Sequence, residues 1–187
     1  MNILICGIGG QGTVLAAKVL SQAALSKGLK VFSAETIGMA QRGGSVVSHV
    51  RIGNGIHSPL IPKGMADVII AFEAAEAVRN FPYLIKGGTV IVNDNVVQPV
   101  TASLSGKVFN KDDMTAFLMK AGAKVIAVDT ETACAAIGSS KCVNMLLLGA
   151  ACKAGLFDDG EIKDAVRLLV KPEFYEMNVK AIDYGRR

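Results

Sequence analysis

Ile3-Leu4-Ile5-Cys6-Gly7-Ile8-Gly9-Gly10-Gln11-Gly12 is the stretch that decides the fold. Its first four residues form a short apolar run of the kind that makes a buried strand. The run passes directly into Gly-x-Gly-x-x-Gly, which fits a strand that turns sharply into a helix. Downstream, Leu15, Val19 and Ala23 fall in one helical row and Ala16, Leu20 and Ala24 in the next, so residues 11–27 read as a helix. Gly28 is a natural stop. In such a turn the first glycine permits the tight reversal. The second admits a phosphate close to the backbone, and the third lets helix and strand pack closely. Amides at the helix start, aided by the dipole, then form an anion site.

A second glycine-rich loop follows a second strand-like run. Val31-Phe32-Ser33-Ala34 leads into Glu35-Thr36-Ile37-Gly38-Met39-Ala40-Gln41-Arg42-Gly43-Gly44. With strand 2–6 and strand 30–34 side by side in a parallel sheet, both loops open on the carboxyl edge, where open α/β sheets place ligands. The fold expected is α/β. It has a Rossmann-like, open, mostly parallel sheet with helices on both faces, and a helical C-terminal part from Thr130 onward. Further strands are expected at 45–52 (half-exposed), 66–71, 89–92 and 124–128, with helices at 73–79, 112–121, 160–170 and 173–184. Residues 99–109 read as strands without a helix between them.

Composition narrows the class. The 187 residues are 51% hydrophobic and 19% charged, which fits one domain over 1–187 with a sizeable core and excludes a disordered chain. Aromatics make up 5% and Trp is absent, so the core rests on aliphatic residues. No apolar run is long enough to span a bilayer, and the N-terminus lacks the order of parts of a signal peptide, so a cytoplasmic protein is expected. The net charge of +4 is uneven: residues 1–66 carry six basic groups against Glu35. The excess therefore lies with the two glycine loops, which fits an anionic ligand or an acidic partner. There is no basic run with interleaved aromatics to suggest nucleic acid.

The candidate binding residues are Gly7, Gly9, Gly10, Gln11 and Gly12 in the first loop, and Glu35, Gln41, Arg42 and Gly43 around the second. Glu35 stands where a dinucleotide-binding protein keeps its ribose-binding acid. Arg42 can clamp a carboxylate or phosphate with two hydrogen bonds. Nucleotide binding and plain protein packing both remain open for the first loop. No catalytic residue is assigned. His49 and His57 have no ligand spacing, Ser45 and Ser48 lack a nucleophile context, and Asn93-Asp94-Asn95 reads as a turn. Cys6, Cys134, Cys142 and Cys152 form no C-x-x-C pair, and no metal site is expected.

The two loops together resemble a family. Gly-x-Gly-Gly-Gln-Gly at 7–12 and Gly-Met-Ala-Gln-Arg-Gly-Gly at 38–44, continuing through Ser45-Val46-Val47-Ser48-His49-Val50-Arg51, are similar to the gamma domain of 2-oxoacid:ferredoxin oxidoreductases. Within it, the likeness is strongest to the beta subunits of the indolepyruvate enzymes. It extends to Ala66-Asp67, Glu73, Asn144-Met145, Leu148-Gly149-Ala150 and the segment from Asn178 to Gly185. The resemblance implies a subunit rather than a complete enzyme. Thiamine diphosphate and iron–sulfur clusters would sit on a larger partner chain, which decarboxylates a 2-oxoacid, passes electrons to ferredoxin and releases an acyl-CoA. CoA would be a shared ligand of the loops. Two other readings stand beside it: a stand-alone dinucleotide-binding oxidoreductase, and a purely structural assembly subunit that forms a homodimer when isolated.

Overall fold

A computed structural model of the chain describes residues 1–37, 43–95 and 110–187. Among these residues six strands form one sheet: β1 (Asn2–Ile8), β2 (Val31–Ile37), β3 (Ser45–Ile52), β4 (Ala66–Ala71), β5 (Leu84–Asn93) and β6 (Lys124–Val128). Their order is β2-β3-β1-β4-β5-β6. β1, β4, β5 and β6 pair in parallel, whereas β3 runs antiparallel to both of its neighbours. The sheet is therefore mixed, with β3 the one reversed strand among the described residues.

This order corrects the expectation that the first two strands lie side by side. β3 inserts between them, pairing Ile5 with Ser48 on one side and Glu35 with Ser48 on the other. The reason is burial. Ile3, Leu4, Ile5 and Cys6 are fully buried, so β1 needs a covered neighbour on each edge. Phe32, Ser33, Glu35 and Thr36 are exposed, which suits β2 to the rim. β3 consequently buries more than the half expected: Val46, Ser48, His49, Val50 and Ile52 are all covered. β1 and β2 still point the same way, so the carboxyl ends of both strands lie on one edge of the sheet.

Among the described residues, seven α-helices cover the two faces: α1 (Thr13–Ser26), α2 (Ala74–Asn80), α3 (Lys111–Lys120), α4 (Thr130–Ile137), α5 (Val143–Lys153), α6 (Asp159–Leu169) and α7 (Pro172–Gly185). Alternation along β1 sorts the core. Ile3 and Ile5 join α1, α5, α6 and α7 on one face, and Leu4 and Cys6 join α2 and α3 on the other. The helix α5 is buried from Asn144 through Cys152, so it forms the centre of the first layer. The expected strands at 99–109 lie outside the described residues. No helix among the described residues is long and apolar enough to cross a membrane.

His49 shows how β3 is locked. Its Nδ1 accepts the Ile61 N–H at 3.2 Å, so the ring is held neutral at that nitrogen. Burial, and then the nearby Arg51 charge, lower its pKa below the ordinary 6.5. The unfolded chain therefore takes up this proton first as pH falls, and stability present above about pH 6.5 is lost below it. Urea midpoints should drop between about pH 7 and pH 5, and His49→Gln should flatten that drop. Equal slopes for the two proteins would rule the histidine out as the cause.

Candidate functional site

The first loop is built around missing side chains. A Cβ on Gly7 would lie 2.8 Å from the Phe72 Cβ and 3.0 Å from the Thr13 Cγ2, so only glycine lets β1 turn beneath α1. Gly12 caps α1 in the left-handed region at φ 89°. The α1 N-terminus has no side-chain cap and no acid in its first turn, which leaves its amide end to solvent or a ligand. Gln11 does not project outward. Its Oε1 accepts the Ile8 N–H at 2.8 Å and fills the inside of the loop.

The base of the second loop docks on the first. Gly9 N–H donates to the Gly44 oxygen at 2.9 Å, and Gly43 N–H donates to the Gly9 oxygen at 3.3 Å. Ser45 Oγ then donates to buried Glu76 at 2.6 Å, and Arg79 pairs with the same carboxylate. Gly43 is thus joined to Gly7, Gly9, Gly10, Gln11 and Gly12 in one assembly. Gly38, Met39, Ala40, Gln41 and Arg42 lie outside the described residues. Glu35 is exposed on β2, one strand further from β1 than a dinucleotide site requires. Two ladder spacings, about 10 Å, replace one.

A cleft of about 740 Å³ opens beside this assembly. It lies at the carboxyl ends of β1 and β4, where the chain changes sides of the sheet, which is the switch point that binds ligands in open α/β folds. Its volume falls in the range of small-molecule sites. Gly10, Gly12, Leu15 and Phe72 form the side nearest the loop. Asn93, Thr130 and Lys141 form the far side, Asn144 lies against Gly12 on the near side, and Glu73 and Glu131 also line the cleft. The far wall is braced from within. Thr130 Oγ1 donates to Asn93 Oδ1 at 2.6 Å, and Asn93 Nδ2 donates to the Phe72 oxygen at 3.1 Å. Asp129 caps α4 by accepting the Thr132 N–H at 3.0 Å, and the Thr132 groups hold its carboxyl below the usual range.

This arrangement offers backbone amides to an anion and the Asn144 amide nitrogen to a carbonyl or hydroxyl group. It holds no set of three or more His, Cys, Asp or Glu side chains for a metal among the described residues. Sequence reasoning missed the far wall. Asn144, beside Gly12, figures only in the family resemblance and not as a site residue, although it stands out as the polar residue inside the apolar run Val143 to Ala151. Glu73 reads as a helix start and as part of the family resemblance, not as a site residue, yet it is buried at the cleft.

The family model for pyruvate ferredoxin/flavodoxin oxidoreductase matches residues 2–187, and the chain belongs to that family. Among curated proteins it is similar to the indolepyruvate oxidoreductase subunit IorB of Thermococcus kodakarensis. The two are 37% identical over 188 residues, covering 98% of this chain and 93% of that one. The fold is that of pyruvate oxidoreductase subunit PORC of Thermotoga maritima, at a TM-score of 0.74 and 23% identity, covering 99% of this chain and 94% of that one. It also matches 2-oxoglutarate:ferredoxin oxidoreductase of Magnetococcus marinus, solved with 2-oxoglutarate, coenzyme A and succinyl-CoA bound. There the TM-score is 0.74 and the identity 20%, and the match covers 100% of this chain but 30% of the longer one.

Proposed function

We propose that the chain is the non-catalytic gamma-type subunit of a 2-oxoacid:ferredoxin oxidoreductase acting on indolepyruvate or related aryl pyruvates. The observation that carries this reading is similarity along the whole chain to a subunit of an indolepyruvate enzyme, together with a switch-point cleft. Thiamine diphosphate and iron–sulfur clusters belong to a larger partner subunit in this reading. The residues here do not suit a cluster: Cys6 and Cys152 are buried apart from the Cys134–Cys142 contact, so no four thiolates converge.

The role left to this chain is to receive and orient. The Gly10 and Gly12 amides, with Arg42 and Lys141, receive the anionic end of CoA or the carboxylate of the oxoacid, since the Gly9 and Gln11 amides are already bonded to the Gly44 and Ile8 oxygens. The Asn144 amide nitrogen, whose companion Oδ1 already accepts the Met145 N–H at 2.9 Å, suits a carbonyl of a pantetheine arm. Co-purification of the tagged chain should bring down a thiamine-diphosphate and iron–sulfur chain with CoA-dependent reduction of a viologen dye. In that complex Arg42→Ala should raise the KM for CoA or oxoacid about tenfold, the scale of one lost charge-assisted contact. Unchanged dependence on both would leave the loops as assembly surface only. The inward turn of Gln11, which packs the loop against its own strand, favours that second reading. Recovery of the chain alone with a tightly bound dinucleotide would sink both.

A further inference from the structure

We propose that Cys134 and Cys142 are a redox-modification pair that closes into an intrachain disulfide on the cleft wall. Their sulfurs lie 3.6 Å apart, so closure to a bond of about 2.05 Å needs a shift of about 1.5 Å. Cys134 is half-buried and lines the cleft, whereas Cys142 is fully buried behind it. The chain between them makes the shift feasible. Gly138 ends α4 in the left-handed region, Ser139 begins a single turn, and Cys142 leads into α5. The Cys142 thiol is already oriented, donating to the Ser139 oxygen at 3.0 Å. One thiol is therefore open to a reagent and the other is placed to resolve it.

The oxidant is a low-molecular-weight disulfide. The Cys134 thiol loses its proton to solvent and attacks one sulfur of that disulfide, and one small thiolate leaves. A mixed disulfide remains on Cys134. The Cys142 thiol then loses its proton, attacks the Cys134 sulfur and expels the second small thiolate. Two protein thiols are oxidised, and one small disulfide is reduced to two thiols. Burial and the neighbouring Cys142 push the Cys134 thiol up to about 12, so the first step is slow at neutral pH and the pair answers to sustained oxidation. Once formed, the bond ties α4, which carries Glu131 in its first turn, to the turn that carries Lys141 and to the start of α5, which carries Asn144. The far wall of the cleft then moves as one piece.

The test is incubation of the full chain in a series of oxidised-to-reduced glutathione ratios, with acid quench, alkylation and intact-mass and peptide analysis. The expected product is two hydrogens lighter than the reduced chain, loses two alkylatable thiols, and yields a cross-linked peptide pair containing Cys134 and Cys142. Cys142→Ser should stop at a glutathione adduct on Cys134, and Cys134→Ser should give neither product. Should Cys134→Ser fail to fold, Cys134→Ala serves the same purpose. A persistent glutathione adduct on Cys134 of the unsubstituted chain, or no reaction at Cys134 under oxidising ratios, would overturn the pairing. The readout needs no partner and no CoA, so it stands apart from the proposed subunit role.

Discussion

Gly149→Ala is expected to cost about 3 kcal/mol of folding stability, the upper part of the range for overpacking a tight core. Gly149 of α5 and Gly185 of α7 each lie against the other helix's backbone. A methyl on Gly149 would overlap the Ile182 carbonyl oxygen and come within 3.1 Å of the Arg186 nitrogen. A methyl on Gly185 would overlap the Leu146 carbonyl oxygen and lie 2.8 Å from its carbon. These neighbours are main chain in regular helices, so they cannot swing aside as a side chain could. The helices must separate, which pulls Met145, Leu146 and Leu148 away from Ala181 and Ile182 in the same core. Gly185→Ala should cost about as much, and the double variant less than the sum, because one separation relieves both overlaps. Urea unfolding of the four proteins measures this. A Gly149→Ala midpoint equal to that of the unsubstituted chain would mean that the helices do not cross this closely.

Gly7→Ala carries the second large effect, and it acts at the cleft. The new methyl would meet the Phe72 Cβ at 2.8 Å, the Thr13 Cγ2 at 3.0 Å and the Gln11 Oε1 at 2.7 Å. Gln11 is flexible, but turning it away breaks its bond to the Ile8 N–H. Phe72 is fully buried at the end of β4 and has little room to move. The loop and the start of α1 must therefore rise from the sheet, at a cost of about 2 kcal/mol. Because Gly9 is bonded to Gly43 and Gly44, the base of the second loop moves with them. In the assembled complex, a displacement of about 1 Å at a ligand-positioning loop should lower kcat/KM by about 10–100-fold. Gly28→Ala is the control. It sits at φ 73° with nothing within 4 Å of a new Cβ, so it should cost only the backbone strain, about 1 kcal/mol, and leave kcat/KM intact. Equal activity for Gly7→Ala and Gly28→Ala would detach the first loop from ligand handling.

Much of the framework was legible from residue order alone. The run Ile3 to Cys6 and the glycines at 7, 9 and 12 specify a buried strand turning into a helix, because only that conformation suits both the apolar run and the missing Cβ atoms. Helix α1 at 13–26, against the expected 11–27, shows that periodicity and a glycine stop locate an amphipathic helix well. The same holds for α6 and α7. The family follows from two glycine loops read together, since their spacing and composition are local properties of the chain.

What pairs with what was decided only in three dimensions. Alternation along β3 reports which residues can be buried, but not that two strands will flank it, and so the insertion between β1 and β2 was not visible. That insertion removed Glu35 from the reach of the first loop. Gln11, long and polar, could face outward or inward, and the unpaired Ile8 N–H decided the matter. The far wall of the cleft, the Cys134–Cys142 contact and the Gly149–Gly185 crossing all join residues from separate elements. The physical reason is common to them. Local sequence sets conformation through sterics and amphipathic period, whereas contacts between elements depend on the shape left when all the apolar faces are buried at once.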